Sequence, residues 1–235
     1  MAKQKRDSKG RFVSEHKKPK EKRKKVTAFI DASGTSDAPP KKDNTTFFVG
    51  AVLTDNPKKL SEIAKKERKR LKVKELKYNK HKGSRKDMEN ATTEAGAEVI
   101  GVYVDKKDSP WWWRIKTKRK WQHQAMLAEL SKDLVELDVD FDKIVIDDDT
   151  SLKHNGKIFT IRDGKRIVKS NIGSERGIKR ISQEDSARGR NKDLMQSGDF
   201  QIGATRRILE NKDPPTPVKF TARNLNNNKK KRNGA

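Results

Sequence analysis

Four acidic side chains in this sequence stand where a sheet-and-helix fold places its chemistry: Asp31, Glu75, Asp147 and Asp199. Asp31 closes the run VTAFID just before Ala32-Ser33-Gly34, and Asp147 closes KIVID just before Asp148 and Asp149. Glu75 lies in the alternating segment VKELKY, and Asp199 lies inside a helical segment, with Met195, Ile202 and Gly203 at i−4, i+3 and i+4. That spacing sets a carboxylate on the stripe of the helix that faces the sheet. Ligands of open α/β sheets bind beyond the carboxyl ends of strands, so acids ending two adjacent strands would meet there. An unpaired carboxylate turned into a fold is costly, and either a basic partner or a bound divalent cation removes the cost. Carboxylate oxygens suit Mg²⁺ or Mn²⁺ rather than zinc. Two such ions about 3.5–4 Å apart can activate water and stabilise the leaving oxygen in phosphodiester hydrolysis. The plainer reading of the same residues is that strand-end aspartates cap helices and close turns.

The elements that must position these acids follow from the apolar pattern. Runs rich in β-branched and aromatic residues predict strands over 26–31, 46–54, 73–78, 97–104 and 143–147. Helical spacing predicts helices over 57–71, 84–96, 121–137 and 192–210. Asn155-Gly156 and Asp163-Gly164 are hairpin turn signals, so 153–170 reads as a β-hairpin insertion. This alternation gives an α/β domain over 26–210, a mixed five-stranded sheet flanked by helices.

Composition bounds what surrounds that domain. Of 235 residues, 31% are apolar and 39% charged; with the 14 glycines the apolar share is about 37%, leaner than the roughly 45–50% (glycine included) of an ordinary globular domain. Residues 1–25 hold 12 Lys or Arg against three acids, and 211–235 hold seven against one. Both segments read as disordered basic extensions, an N-terminal arm and a C-terminal tail set off by DPPTP. A net charge of +25 points to a polyanionic partner, because Lys and Arg release the counterions condensed on phosphates. No apolar run approaches the ~20 residues that span a bilayer, so nucleic acid is expected and membrane is not. Zero cysteines exclude disulfides, thiolate metal sites and cysteine nucleophiles. The charged start of the chain does not resemble a secretory signal, and a cytoplasmic location is expected. His16, His81, His123 and His154 are scattered without zinc-ligand spacing, and no P-loop, G-x-S-x-G or G-x-G-x-x-G turn occurs.

Nucleic-acid contacts are expected at two places. Lys72, Lys74 and Lys77 surround Glu75 and would form a positive rim beside an acidic centre. Trp112, Trp113 and Arg114, in WWWRIKTKRK, would stack on bases; the alternative is that the indoles pack onto the sheet or the helix over 121–137. Asp148 and Asp185 are candidates to support the four acids from just outside.

The quoted segments resemble, over about 26–210 and in the same order, the domain-of-unknown-function 3800 family. FIDASG is similar to its D-E-S-G opening, FFVGAVLT to the strand after it, and KELKY to its E-L-K/H element. KIVID is similar to its strand-ending Asp, and LMQSGDFQIGA to its terminal L-Q-x-A-D-x-x-x-G-A helix. The resemblance implies an RNase H-like fold with Asp31, Glu75, Asp147 and Asp199 at the metal-ligand positions. Broader kinship to retroviral integrases and resolvases implies a nucleic-acid substrate. Two positions depart from the pattern: Ala32 replaces a Glu, and Ser197-Gly198 replaces a small apolar pair. The expectation is therefore a divalent-metal-dependent nuclease or nuclease-like protein. The alternative is a non-catalytic nucleic-acid- or ribosome-binding protein on the same fold.

Overall fold

Alternation along β1 (Lys24–Ser33) decides the architecture. Val26, Ala28 and Ile30 join one apolar cluster, while Phe29 joins a second on the opposite face. A strand buried on both faces belongs in the middle of a sheet between two layers of helix. The computed structural model describes residues 23–34, 45–108, 119–147, 161–172, 178, 180–212 and 219–226. In it β1 is joined by β2 (Thr46–Thr54), β3 (Glu98–Asp105), β4 (Val139–Asp147), β5 (Arg180–Glu184) and β6 (Lys219–Asn224). The six form one mixed sheet in the order β5-β4-β1-β2-β3-β6. The first three strands are an antiparallel meander, whereas β4 runs parallel to β1, β5 to β4, and β6 to β3.

Two helices cover one face. Leu127, Leu130 and Leu134 of α3 (Arg119–Val135) and Val168 and Ile172 of α4 (Ile161–Ile172) pack on Ala28, Ile30 and Ile144. The other face carries α1 (Pro57–Leu71), α2 (Arg85–Glu94) and α5 (Lys192–Leu209), which bury Leu60, Met88, Leu194 and Phe200 against Phe29, Phe48 and Val145. Pro57 opens α1, where its missing N–H costs nothing, and the Asn56 side chain accepts from the Lys59 N–H.

The architecture corrects the sequence-based expectation at four points. The sheet has six strands and not five, because 73–78 is not a strand while 180–184 and 219–224 are. The backbone N–H groups of Leu76 and Tyr78 donate to side chains of α5, Gln196 Oε1 at 3.1 Å and Asp199 Oδ2 at 2.8 Å. An extended segment held this way alternates in burial without any strand beside it. Within the expected hairpin 153–170, residues 161–172 are helix α4, and 153–160 lie outside the described residues. Burial of Val168 and Ile172, one helical turn apart, outweighs the local turn preference of Asp163-Gly164. Finally, the chain does not leave the fold at 210. Strand β6 pairs with β3, Arg223 is ion-paired to Asp133 and Glu129, and Leu225 is buried in the α3–α4 core.

Residues 1–22 of the expected arm and 227–235 of the expected tail lie outside the described residues, as do Trp112, Trp113, Arg114 and Asp148. Replacing Leu225 by Ala is expected to cost about 2–4 kcal/mol in chemical denaturation, as for a core leucine. A residue in an unstructured tail would cost nothing.

Candidate carboxylate centre

The strand ladder brings the first two acids together. In the parallel β1–β4 pair, Phe29 sits beside Val145 and Ile30 beside Ile146, so the next step places Asp31 beside Asp147. Phe29 and Val145 both face the α5 side, and two residues further each strand turns its aspartate to the same side. One carboxylate oxygen of Asp31 accepts the Ala32 N–H at 2.6 Å. On its other flank Asp147 is in register with Glu184 of β5.

Helix α5 brings the third acid over this edge, and its close approach has a visible cause. A Cβ on Gly198 would lie 2.0 Å from Cδ1 of Phe29, so only glycine lets the helix lie this near β1. Next to it, the Ser197 hydroxyl donates to the Leu60 carbonyl at 2.6 Å. The Ser197-Gly198 pair is thus the contact that seats Asp199. The helix start is tied down as well. Glu184 accepts from the Asn191 backbone and side-chain amides at 2.9 and 2.6 Å, Lys143 donates to Asn191 at 2.6 Å, and Arg68 of α1 pairs with Asp193.

Glu75 arrives on the loop that crosses α5. Gln196 holds that loop in place, accepting the Leu76 N–H and donating to the Ser186 carbonyl at 2.9 Å. The Ser186 hydroxyl in turn donates to Glu75 at 3.3 Å. Asp185, expected as an outer support, acts at one remove. Its carboxylate accepts the Ala187 N–H at 2.7 Å and shapes the turn that carries Ser186.

At the meeting point stands Lys77. Its ammonium is 3.1 Å from Glu75. Burial opposes its charge, but the hydrogen bond to Glu75 and the fields of Glu75, Asp199 and Asp147 outweigh this and raise its pKa. Asp199 is shifted in the direction opposite to an ordinary paired aspartate. Burial raises its pKa, and the Glu75 charge adds to this, while the Tyr78 N–H and Lys77 pull it down without restoring it. Glu75, Asp147 and Asp199 therefore share one electrostatic environment, and the strand register adds Asp31 to it.

Of the four acids predicted from sequence, Asp31 and Asp147 are neighbours by strand register, and Glu75, Asp147 and Asp199 all act on Lys77. Of the three predicted rim lysines, Lys72 and Lys74 are exposed whereas Lys77 is turned inward. Ser186, Gln196 and Tyr78 were not anticipated. Gln196 was within reach of the pattern, since i−3 from Asp199 is the same helix face. The residues whose chemistry could hold a metal are Asp31, Asp147, Asp199 and Glu75. Among the described residues, no three or more His, Cys, Asp or Glu side chains form a group that could hold a metal ion. No family model matches the chain, and no curated protein matches it.

Replacing Asp199 by Asn removes a disfavoured charge while keeping an acceptor for Tyr78. In EDTA it is expected to stabilise the protein by about 1 kcal/mol at neutral pH. A raised folded-state pKa contributes stability that is complete below the unfolded value, near 3.8, and is lost as pH rises through the folded value. The gain of the Asn variant over the native chain should therefore grow with pH above about 4, in melting curves from pH 4 to 7.

Proposed function

We propose that this protein is a divalent-metal-dependent nuclease of RNase H-like type, similar to the domain-of-unknown-function 3800 family, with Asp31, Glu75, Asp147 and Asp199 as its metal-binding and catalytic residues. What supports this reading is the register that sets Asp31 beside Asp147 on adjacent parallel strands, and the joint action of Glu75, Asp147 and Asp199 on Lys77, in a strongly basic chain. The strand order β3-β2-β1-β4-β5, with an antiparallel meander followed by two parallel strands, supports it as well.

The donor set fits a hard divalent ion. It offers only carboxylate oxygens, and burial at Asp199 leaves a charge that an added cation would compensate. Bound Mg²⁺ or Mn²⁺ would supply the Lewis acidity that activates water toward a phosphodiester. Asp31 and Asp147 would hold it from the strand ends, Asp199 from α5 and Glu75 from the loop. Ser186 and Gln196 keep the Glu75 loop in place. Lys77 partly offsets the acids when no metal is bound, and with 44% of its side chain exposed it can turn out to solvent without unfolding. Lys72 and Lys74 face the solvent beside this edge, where they would draw in the phosphate backbone.

The Lys77–Glu75 ion pair also favours a second reading, a non-catalytic nucleic-acid-binding protein in which lysine permanently fills the acidic edge. The readings separate on metal. Mn²⁺ should raise the melting temperature, and Lys77→Met should lower metal-free stability and enlarge the Mn²⁺-induced rise. No response in either protein would favour the second reading. In assays on single strands, duplexes and RNA–DNA hybrids with Mg²⁺ or Mn²⁺, Asp31→Asn should lower cleavage by roughly 100-fold or more. Absence of cleavage on every substrate would overturn the nuclease.

The same chemistry assigns the partner as nucleic acid. Among the described residues no helix is long and apolar enough to cross a membrane. Action in the cytoplasm belongs to this proposal.

A further inference from the structure

Outside the carboxylate edge, α1 presents a strongly cationic face among the described residues, with Glu62, Asp142 and Asp193 bordering the hollow beside Lys58 and Lys65. Lys58, Lys65 and Lys69 recur at i, i+7 and i+11, and Lys72 follows at i+14. At 100° per residue Lys58, Lys65 and Lys69 fall within about 20° of one line along the helix, which they follow for about 16 Å, and Lys72 caps the helix end in a left-handed conformation. Lys59 and Lys66 flank the line, and all six are exposed. Among the described residues none of the six is ion-paired, whereas the arginines of the same helix are committed, Arg68 to Asp193 and Arg70 to Glu67. Glu62, at i+4 and about 40° from the line, is the only exposed acid on the helix and interrupts the row between Lys58 and Lys65. The opposite side of α1 is fixed in the core by Leu60 and Ala64, both wholly buried.

We propose that this face of α1 is the docking rail for double-helical nucleic acid, gripping phosphates and reading no bases. The inference rests on nucleic acid being the partner, and it stands whether or not the carboxylate edge cuts it.

The side-chain types select the partner. Single-strand binders stack bases on aromatic rings, and base edges are read by planar amides or guanidinium groups. Helix α1 contains no aromatic residue, Asn or Gln, and its two arginines are already paired. Lysine is a compact point charge that matches a phosphate and carries no sequence information. Over about 16 Å of axis a B-form duplex carries about 10 phosphate charges on its two wound strands, and the lysine row meets those on the facing side. An anionic membrane fits less well, because the apolar side of the helix is already buried and cannot enter a lipid interface. The rail also has a direction. It runs through Lys72 and Lys74 into the loop that carries Glu75, so a duplex lying on it is led toward the carboxylate edge.

The test is fluorescence anisotropy of the full chain in EDTA, which stops any metal-dependent cleavage, with a 20-base-pair duplex over a range of salt. The triple variant Lys58→Gln, Lys65→Gln, Lys69→Gln should raise Kd roughly 10- to 100-fold near 0.1 M salt, and flatten the log–log salt slope by about 2–3. A matched variant with the same loss of charge on other surfaces, Lys107→Gln, Lys132→Gln, Lys169→Gln, should change Kd by less than about threefold. Unaltered melting curves establish that both variants fold. Equal weakening by the two triples would overturn the rail, since only net charge would then matter. Preferential loss of single-strand binding, or tighter lysine-dependent binding to phosphatidylserine vesicles than to duplex, would overturn it too. A native chain that binds no nucleic acid at all would bring down the rail together with the proposed partner. Binding that survives the α1 substitutions intact would bring down the rail alone.

Discussion

Like charges gathered in one place repel, and every other feature of the α5 side of the sheet answers to that fact. Glu75, Asp147 and Asp199 lie close enough to act together on Lys77, and the strand ladder sets Asp31 beside Asp147. In a partly buried environment such repulsion is far stronger than in water. Part of it is offset locally, through the Ala32 N–H on Asp31, the Tyr78 N–H on Asp199 and the Ser186 hydroxyl on Glu75. Lys77 offsets a further part. The pKa of Asp199 is raised first by burial, and the Glu75 charge adds to this. Under the nuclease proposal, a bound divalent cation would supply the remaining compensation.

Holding such a centre together requires a rigid element, and α5 is that element. Its first residues are clamped by Glu184, Lys143 and Arg68. Its middle lies on β1 through the missing side chain of Gly198 and on α1 through Ser197. Further along, Gln201 hydrogen-bonds α2 at the Glu89 carbonyl and Thr92 hydroxyl. Beyond the helix end, Glu210 accepts the Thr46 N–H at the start of β2. One helix therefore contacts the sheet and both helices of its layer. A change that shifts it moves Asp199 and, through Gln196, the Glu75 loop.

What could be read from the sequence depended on how many sides of an element are buried. β2 is buried at all nine positions and reads as an unbroken apolar run, and β1 and β3 behave similarly. The edge strands do not. RISQE of β5 carries one apolar residue and KFTARN of β6 two, because an edge strand is packed more loosely and needs fewer. Segment 73–78 shows the converse: it alternates as a strand does, yet its N–H groups bond to Gln196 and Asp199. Period-two burial reports which way side chains point, not what the backbone pairs with. In the site, Asp31 and Asp147 were legible from their strand-end positions, and Asp199 from its place on the sheet-facing stripe of its helix. The inward turn of Lys77 was missed although it stands two residues from Glu75, on the same side of an extended segment. Ser186 lies in a turn after an edge strand and leaves no pattern in the sequence.

The most direct measurement is anomalous diffraction from crystals of the full chain soaked in Mn²⁺. The expected result is a manganese peak bordered by the carboxylates of Asp31, Asp147 and Asp199, with the Lys77 ammonium displaced toward solvent. A Lys77 that stays against Glu75, with no manganese at that edge, would contradict the account at its root.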